Sequence, residues 1–289
     1  MRCACIDIGS NTTRLLVAEA DDDALREVLA QRVFTRLSAV GGEIPASKID
    51  EVAATVAIQA KLAREAGADD VRAVATAAIR GAANGGELCA AVRDASGLDV
   101  AVLSADDEAR FAFRGATRSQ PEIPAGVVAV VDVGGGSTEI VCGTADDGVT
   151  WSRSFALGSG SLTEHVVRSD PPIDNELAAM RELVRDVLSG LAPPAPVAAF
   201  AVGGSATSLR RLVGETLDHA ALRAAIAAIC SGPCEELAER FDLHPERVRV
   251  LPAGMVILDQ AAALLGAPLR IAGGGLREGV ILDALAGAE

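Results

Sequence analysis

"VVDVGGGSTEIV", residues 130–141, decides how this chain is read. An apolar run ends at Asp132, glycines fill positions 134–136, and Ser137-Thr138-Glu139 leads into a second alternating segment. This pattern predicts a β-hairpin, and its bare turn offers successive N–H groups as a nest for an anion. A similar stretch, "CACIDIGSNTTRLL", occupies 3–16 and has Asp7 and Gly9 where the other has Asp132 and Gly134. The two copies stand near the starts of segments of comparable length, which predicts an internal duplication.

After the first hairpin, the pattern predicts a strand at "LAQRVFTRLS" (29–38) and a helix from about Ile49 to Glu65, opened by Ser47 and Asp50 as a capping box. Next come a strand at "VRAVATAA" (71–78), a helix over 86–96, a strand over 99–104 and a helix from 105. The second half repeats the scheme with a strand at 149–158, a helix near 174–190, and a strand at "PVAAFAVGGS" (196–205) that leads into a helix. It continues with a strand at "RVRVLPAG" (247–254), a helix over 255–266, a strand at "LRIAGGG" (269–275) and a closing helix over 276–286. Strands alternating with helices predict two α/β domains, 1–120 and 121–289, with a cleft between them. The polar, proline-bearing stretch 117–126 supplies the boundary, and the last helix has the option of packing back on the first domain.

The chain has 289 residues, half of them hydrophobic, which fits two domains. Its net charge of −14 argues against a nucleic-acid partner gripped through a broad basic face. Its longest apolar runs end in glycines short of a bilayer span, so no membrane helix is expected. Asp7 interrupts the first apolar stretch, which leaves no signal-peptide core and predicts a cytoplasmic protein. The six cysteines are scattered, and Cys230-x-x-x-Cys234 has no second ligand pair, so they read as reduced packing residues. Alanine-rich helix faces leave room for a homodimer.

Three strand ends of the second half run into glycine-rich turns, at 134–136, at 203–204 with Ser205, and at 273–275. Together with Gly9-Ser10-Asn11 they point to a polyanionic phosphate ligand. Asp7 and Asp132 end equivalent strands, and as hard oxygen donors they suit magnesium, with Glu139 on the return strand. Glu108, early in a helix, is either functional or an acidic residue favoured at a helix N-terminus. Arg14, Arg80, Arg153, Arg247 and Arg277 are possible phosphate clamps, and Arg80 stands out because it follows a strand end.

Asp7-x-Gly9-Ser10-Asn11, Ala75-Thr76-x-x-Ile79-Arg80, Glu108-Ala109-Arg110, Asp132-x-Gly134-Gly135-Gly136-Ser137-Thr138-Glu139 and Gly273-Gly274-Gly275-Leu276-Arg277-Glu278-Gly279 resemble, in order and spacing, the exopolyphosphatase / guanosine pentaphosphate phosphatase family. The resemblance runs through both halves and implies two ribonuclease-H-like domains of the actin-like ATPase superfamily, in the short form without further C-terminal helical domains. It implies Glu108 as the general base. It also implies Asp132 and Glu139, with Gly134 and Asp7, as the magnesium set, and Asn11, Arg80, Gly135, Gly136, Ser137 and Arg247 as substrate contacts. Gly158-Ser159-Gly160-Ser161 departs from the Gly-Cys/Ala-Val-Arg/Ser common in the family.

The activity so implied is hydrolysis of the terminal phosphoanhydride bond of inorganic polyphosphate, in short chains. Guanosine pentaphosphate is the competing substrate; aromatics are 2% of residues and tyrosine is absent, which leaves few base-stacking platforms. A small-metabolite kinase and a non-catalytic sensor of polyphosphate or an alarmone are the other readings.

Overall fold

The computed structural model of the chain describes residues 1–21, 24–37 and 42–287. In chain order the first part contains β1 (Arg2–Ile8), β2 (Thr12–Asp21), β3 (Ala24–Phe34), α1 (Ala46–Glu65), β4 (Asp70–Ala75), α2 (Ala77–Gly81), α3 (Gly85–Ser96), β5 (Val100–Val102) and α4 (Ala105–Arg118). The remainder contains β6 (Val128–Val133), β7 (Thr138–Thr144), β8 (Gly148–Phe155), α5 (Ser159–Val166), α6 (Asp174–Leu188), β9 (Ala198–Val202), α7 (Gly203–Val213) and β10 (Thr216–Leu217). It closes with α8 (His219–Ile229), α9 (Cys234–Phe241), α10 (Pro245–Leu265), β11 (Leu269–Ile271) and α11 (Leu276–Ala286).

Two compact units result. One is Met1–Ser119 together with Gly274–Glu289, the other Gln120–Gly273. The last helix thus groups with the first unit, where the sequence pattern assigns a contiguous second domain to 289.

In the first unit the sheet order is β3-β2-β1-β4-β5, with β1, β2 and β3 antiparallel and β4 and β5 parallel to β1. Strand alternation splits the residues of β1 between two cores. Ala4, Ile6 and Ile8 join Leu15, Val17 and residues of α1 and α3 on one face. Cys3 and Cys5 join Leu16, Ala18, Val74 and residues of α4 and α11 on the other. Asp7, by its parity, lies on the α4/α11 face. The second unit repeats the plan with order β10-β11-β9-β6-β7-β8, and Val131, Val133, Ile140 and Ala201 face a core built largely from α5, α6, α8 and α10. Each unit is therefore a ribonuclease-H-like α/β fold with a strand–turn–strand start.

Several expected elements change. Residues 247–254 are helical inside α10, with Pro245 in its first turn and the His244 ring accepting the Glu246 N–H at 3.2 Å. The segment is buried on nearly every side, so its short alternating pattern carried no reliable period. Joined to the following helix it forms a 21-residue element long and apolar enough to cross a membrane, and 72% of its apolar window is buried within the protein. α1 begins at Ala46 behind Pro45 and has no side-chain cap, so Ser47 and Asp50 form no capping box. β4 ends at Ala75, and the alanine-rich Ala77–Gly81 turns into α2 instead of prolonging the strand. β3 ends at Phe34, and Ser38, the last residue of the expected strand, lies outside the described residues. α5 was not expected.

Candidate functional site

In the first unit the candidate residues gather around the β1–β2 turn. The Gly9 N–H donates to the Thr12 carbonyl at 3.0 Å, closing the turn. The Asn11 carbonyl accepts the N–H groups of Thr35 and Arg36, both at 3.1 Å, while the Asn11 side-chain amide has no partner among the described residues. The register pairs Asp7 with Arg14 and Arg14 with Arg32, so these three side chains form one row across β1, β2 and β3 on a single face. Burial pushes the Asp7 carboxyl up, opposed by Arg14, and Asp7 Oδ1 has no hydrogen-bond partner. Burial, with Arg277 and Arg32 nearby, drags the Arg14 guanidinium down to about 9. Three crowded guanidinium groups face two carboxylates, Asp7 and Glu278, and the surplus positive charge favours an anion. Arg277 is held by the Leu15 carbonyl at 3.3 Å.

Glu108 sits in the first turn of α4. The Ser104 hydroxyl caps that helix by accepting the Asp107 N–H at 3.1 Å, and the exposed Asp106 and half-buried Asp107 supply the negative charge a helix N-terminus favours. Glu108 is turned inward and only 4% exposed. Burial pushes its carboxyl up, Arg80 pulls it down, and Asp7 adds a smaller upward push. Arg80, on α2, donates through Nη1 to Glu108 Oε1 and to the Leu103 carbonyl. Arg110 ties α4 to α11 through Asp283 at 3.3 Å. The two helices touch backbone to backbone, since a Cβ on Gly279 would lie 2.0 Å from the Phe111 carbonyl oxygen.

The second unit repeats the turn with a different lining. The Gly134 N–H donates to the Ser137 carbonyl at 2.9 Å. Here the register pairs Asp132 with Glu139 and Glu139 with Ser154, and the Ser154 hydroxyl donates to Glu139 Oε1 at 2.7 Å. The N terminus of α5 grips the turn from behind. Ser159 donates to the Gly134 carbonyl through N–H at 2.9 Å and Oγ–H at 3.1 Å, and the N–H groups of Gly160 and Ser161 donate to the Gly135 carbonyl. Gly158 permits this approach, because a Cβ there would lie 2.5 Å from the Gly135 carbonyl carbon. The departure at 158–161 is therefore a clamp on the turn. The Gly134 carbonyl accepts both of the Ser159 bonds. The N–H groups of Gly135 and Gly136 and the Ser137 hydroxyl have no partner among the described residues.

α7 starts directly at Gly203, whose φ of +86° and 2.5 Å Cβ-to-Asp132 Oδ1 spacing both require glycine. Asp132 thus rests at the positive end of a helix. Gly204 makes room for Arg247, whose Nη2 would lie 2.5 Å from a Cβ there. Arg153 pairs in register with Ile140 and falls on the face opposite Glu139, outside this group.

Two carboxylates directly opposite each other repel unless a cation joins them. Among the described residues no three His, Cys, Asp or Glu side chains gather into an all-protein cage. A pair of hard carboxylates instead suits a magnesium ion, which keeps several waters and takes phosphate oxygens as further ligands. Sequence reasoning missed Arg32 and Ser154, and it marked Ser159 as part of the 158–161 departure without its role. The first two follow only from strand register, and that role from the unexpected α5.

The family model described as the Ppx/GppA phosphatase family matches residues 16–287. Exopolyphosphatase 1 of Mycobacterium tuberculosis is 30% identical, the match covering 99% of this chain and 88% of that protein. The crystal structure of the Aquifex aeolicus Ppx/GppA family member superposes with a TM-score of 0.83 at 30% identity, covering 100% of this chain and 99% of the other. An exopolyphosphatase structure from Cytophaga hutchinsonii, 20% identical, shares the fold with a TM-score of 0.89 over 99% and 98% of the two chains.

Proposed function

The chain belongs to the Ppx/GppA phosphatase family, and on that premise we propose that it hydrolyses the terminal phosphoanhydride bond of inorganic polyphosphate in short chains, releasing phosphate. The observation that carries this reading is Glu108, a carboxylate almost closed off from solvent and raised by burial. A carboxylate whose affinity for a proton is raised is a stronger base than an exposed one.

The roles follow from the chemistry of each group. Glu108 orients a water and accepts its proton as the new P–O bond forms. The bridging P–O bond breaks with its electron pair staying on the departing phosphate chain. The Gly135 and Gly136 N–H groups, the Ser137 hydroxyl, the Asn11 amide, Arg80 and Arg247 hold phosphate oxygens, with Arg14 and Arg277 adding positive charge. Asp132 and Glu139 would hold magnesium. That ion, when bound, screens negative charge on the phosphoryl oxygens. The six free thiols suit a reducing cytoplasm.

The test is phosphate release from tripolyphosphate, long-chain polyphosphate, guanosine pentaphosphate and ATP, with product chromatography. Fastest release from short polyphosphate is expected. Preference for guanosine pentaphosphate would replace the substrate, and phosphate transfer from ATP to an acceptor would overturn the hydrolase reading.

A further inference from the structure

Resting on the hydrolase reading above, we propose that Arg80 is exchanged between Glu108 and the terminal phosphate group of the substrate, so that the base is released only once that phosphate is captured. Arg80 is a half-used fork. Nη1 donates to both Glu108 Oε1 and the Leu103 carbonyl, whereas Nε and Nη2 have no partner among the described residues. Its side chain is 32% exposed, against 5% for Glu108, so the pair has one solvent-facing member and one buried member. An arriving anion meets the arginine first.

The geometry makes the two partners competitors. Nη1 has two hydrogens, and both are committed in the resting pair. A phosphate group binding the fork bidentately through Nη1 and Nη2 must take an Nη1 hydrogen from Glu108 or from Leu103. A doubly charged phosphate competes well against one carboxylate. Among the described residues the only other charged side chain acting on Glu108 is Asp7, which is itself negative and so cannot replace the arginine. Once Arg80 leaves, Glu108 is a buried carboxylate without its cation and gains affinity for a proton, at the point where the water must lose one. Asp107, its neighbour on α4, is engaged with Ser104 and Arg110 and takes no part.

The exchange is read as a double-mutant cycle of equilibrium binding, with methylenediphosphonate as the probe because its P–C–P bridge cannot be hydrolysed. Affinities are measured by titration calorimetry with magnesium for the wild type, Glu108→Gln, Arg80→Gln and the double variant. Glu108→Gln should bind the probe about 5–10-fold tighter, and that gain should vanish when Arg80 is already glutamine. Asp107→Asn, which removes a nearby carboxylate outside the pair, should change affinity less than about twofold. Arg80→Lys, which keeps the charge without the fork, should bind more weakly than the wild type and guards against a misfolded glutamine variant. An equal gain with and without Arg80, a weaker Glu108→Gln, or no binding by the wild type would overturn the exchange. Binding with the expected coupling but no phosphate release from tripolyphosphate would overturn the hydrolase reading and leave the exchange standing.

Discussion

In both units the first hairpin closes through the same bond, Gly9 N–H to Thr12 carbonyl at 3.0 Å in one and Gly134 N–H to Ser137 carbonyl at 2.9 Å in the other. Both hairpins end their first strand on an aspartate. Seven positions further on, the directly opposed residue is Arg14 in the first unit and Glu139 in the second. The next strand continues the contrast with Arg32 against Ser154. One duplicated frame thus carries a basic row and an acidic row. The backbone fixes where side chains stand, and a single register position decides whether the row draws an anion or a cation.

The comparison is broken most severely at Glu139. Glu139→Gln removes one of two opposed charges, and kcat/KM for tripolyphosphate is expected to fall about 10²–10³-fold, with a higher magnesium requirement. The folded state should hold to within about 1 kcal/mol in denaturant melts, because the glutamine keeps a side-chain oxygen for the Ser154 hydroxyl. A loss of activity accompanied by a large loss of stability would show that the residue is structural.

Each unit also positions its row through glycine contacts, the first between helices α4 and α11 and the second between α5 and its turn. Gly279→Ala forces a Cβ to within 2.0 Å of the Phe111 carbonyl oxygen, and destabilisation of about 3 kcal/mol is expected in chemical unfolding. An unchanged midpoint would mean that α11 is not held closely against the helix that carries Glu108.

Arg14→Gln is the matching change in the basic row. It should raise KM about tenfold, flatten the salt dependence of kcat/KM, and leave the magnesium requirement as it was. A changed magnesium requirement would mean that the two rows do not divide the labour by charge.

Much of this contrast was legible in the sequence. The paired Asp-x-Gly turns announced the duplication, and Glu108, Asp132, Glu139 and Arg80 were marked by short strings whose chemistry is local. Register was not local. That Arg14 opposes Arg32, and Glu139 opposes Ser154, depends on strand pairings that the sequence alone leaves open. The segment 247–254 misled because a helix buried on nearly every side loses its 3.6-residue period, and a helix-start signal at His244-Pro245 was outweighed by alternating valines. Short α5 gave no periodic signal, so the clamp on the glycine turn was invisible, as was the Arg80–Glu108 pair, which joins residues 28 apart in sequence.

The central claim is that the buried Glu108 is the base of a magnesium-dependent hydrolysis of phosphoanhydride bonds. Phosphate release from tripolyphosphate by the wild type and by Glu108→Gln, each with magnesium and with a chelator, tests it most directly. The expected result is rapid release only by the wild type with magnesium, at least about 10²-fold above the other three conditions. Undiminished release by a folded Glu108→Gln variant, or release by the wild type that chelation leaves untouched, would contradict it.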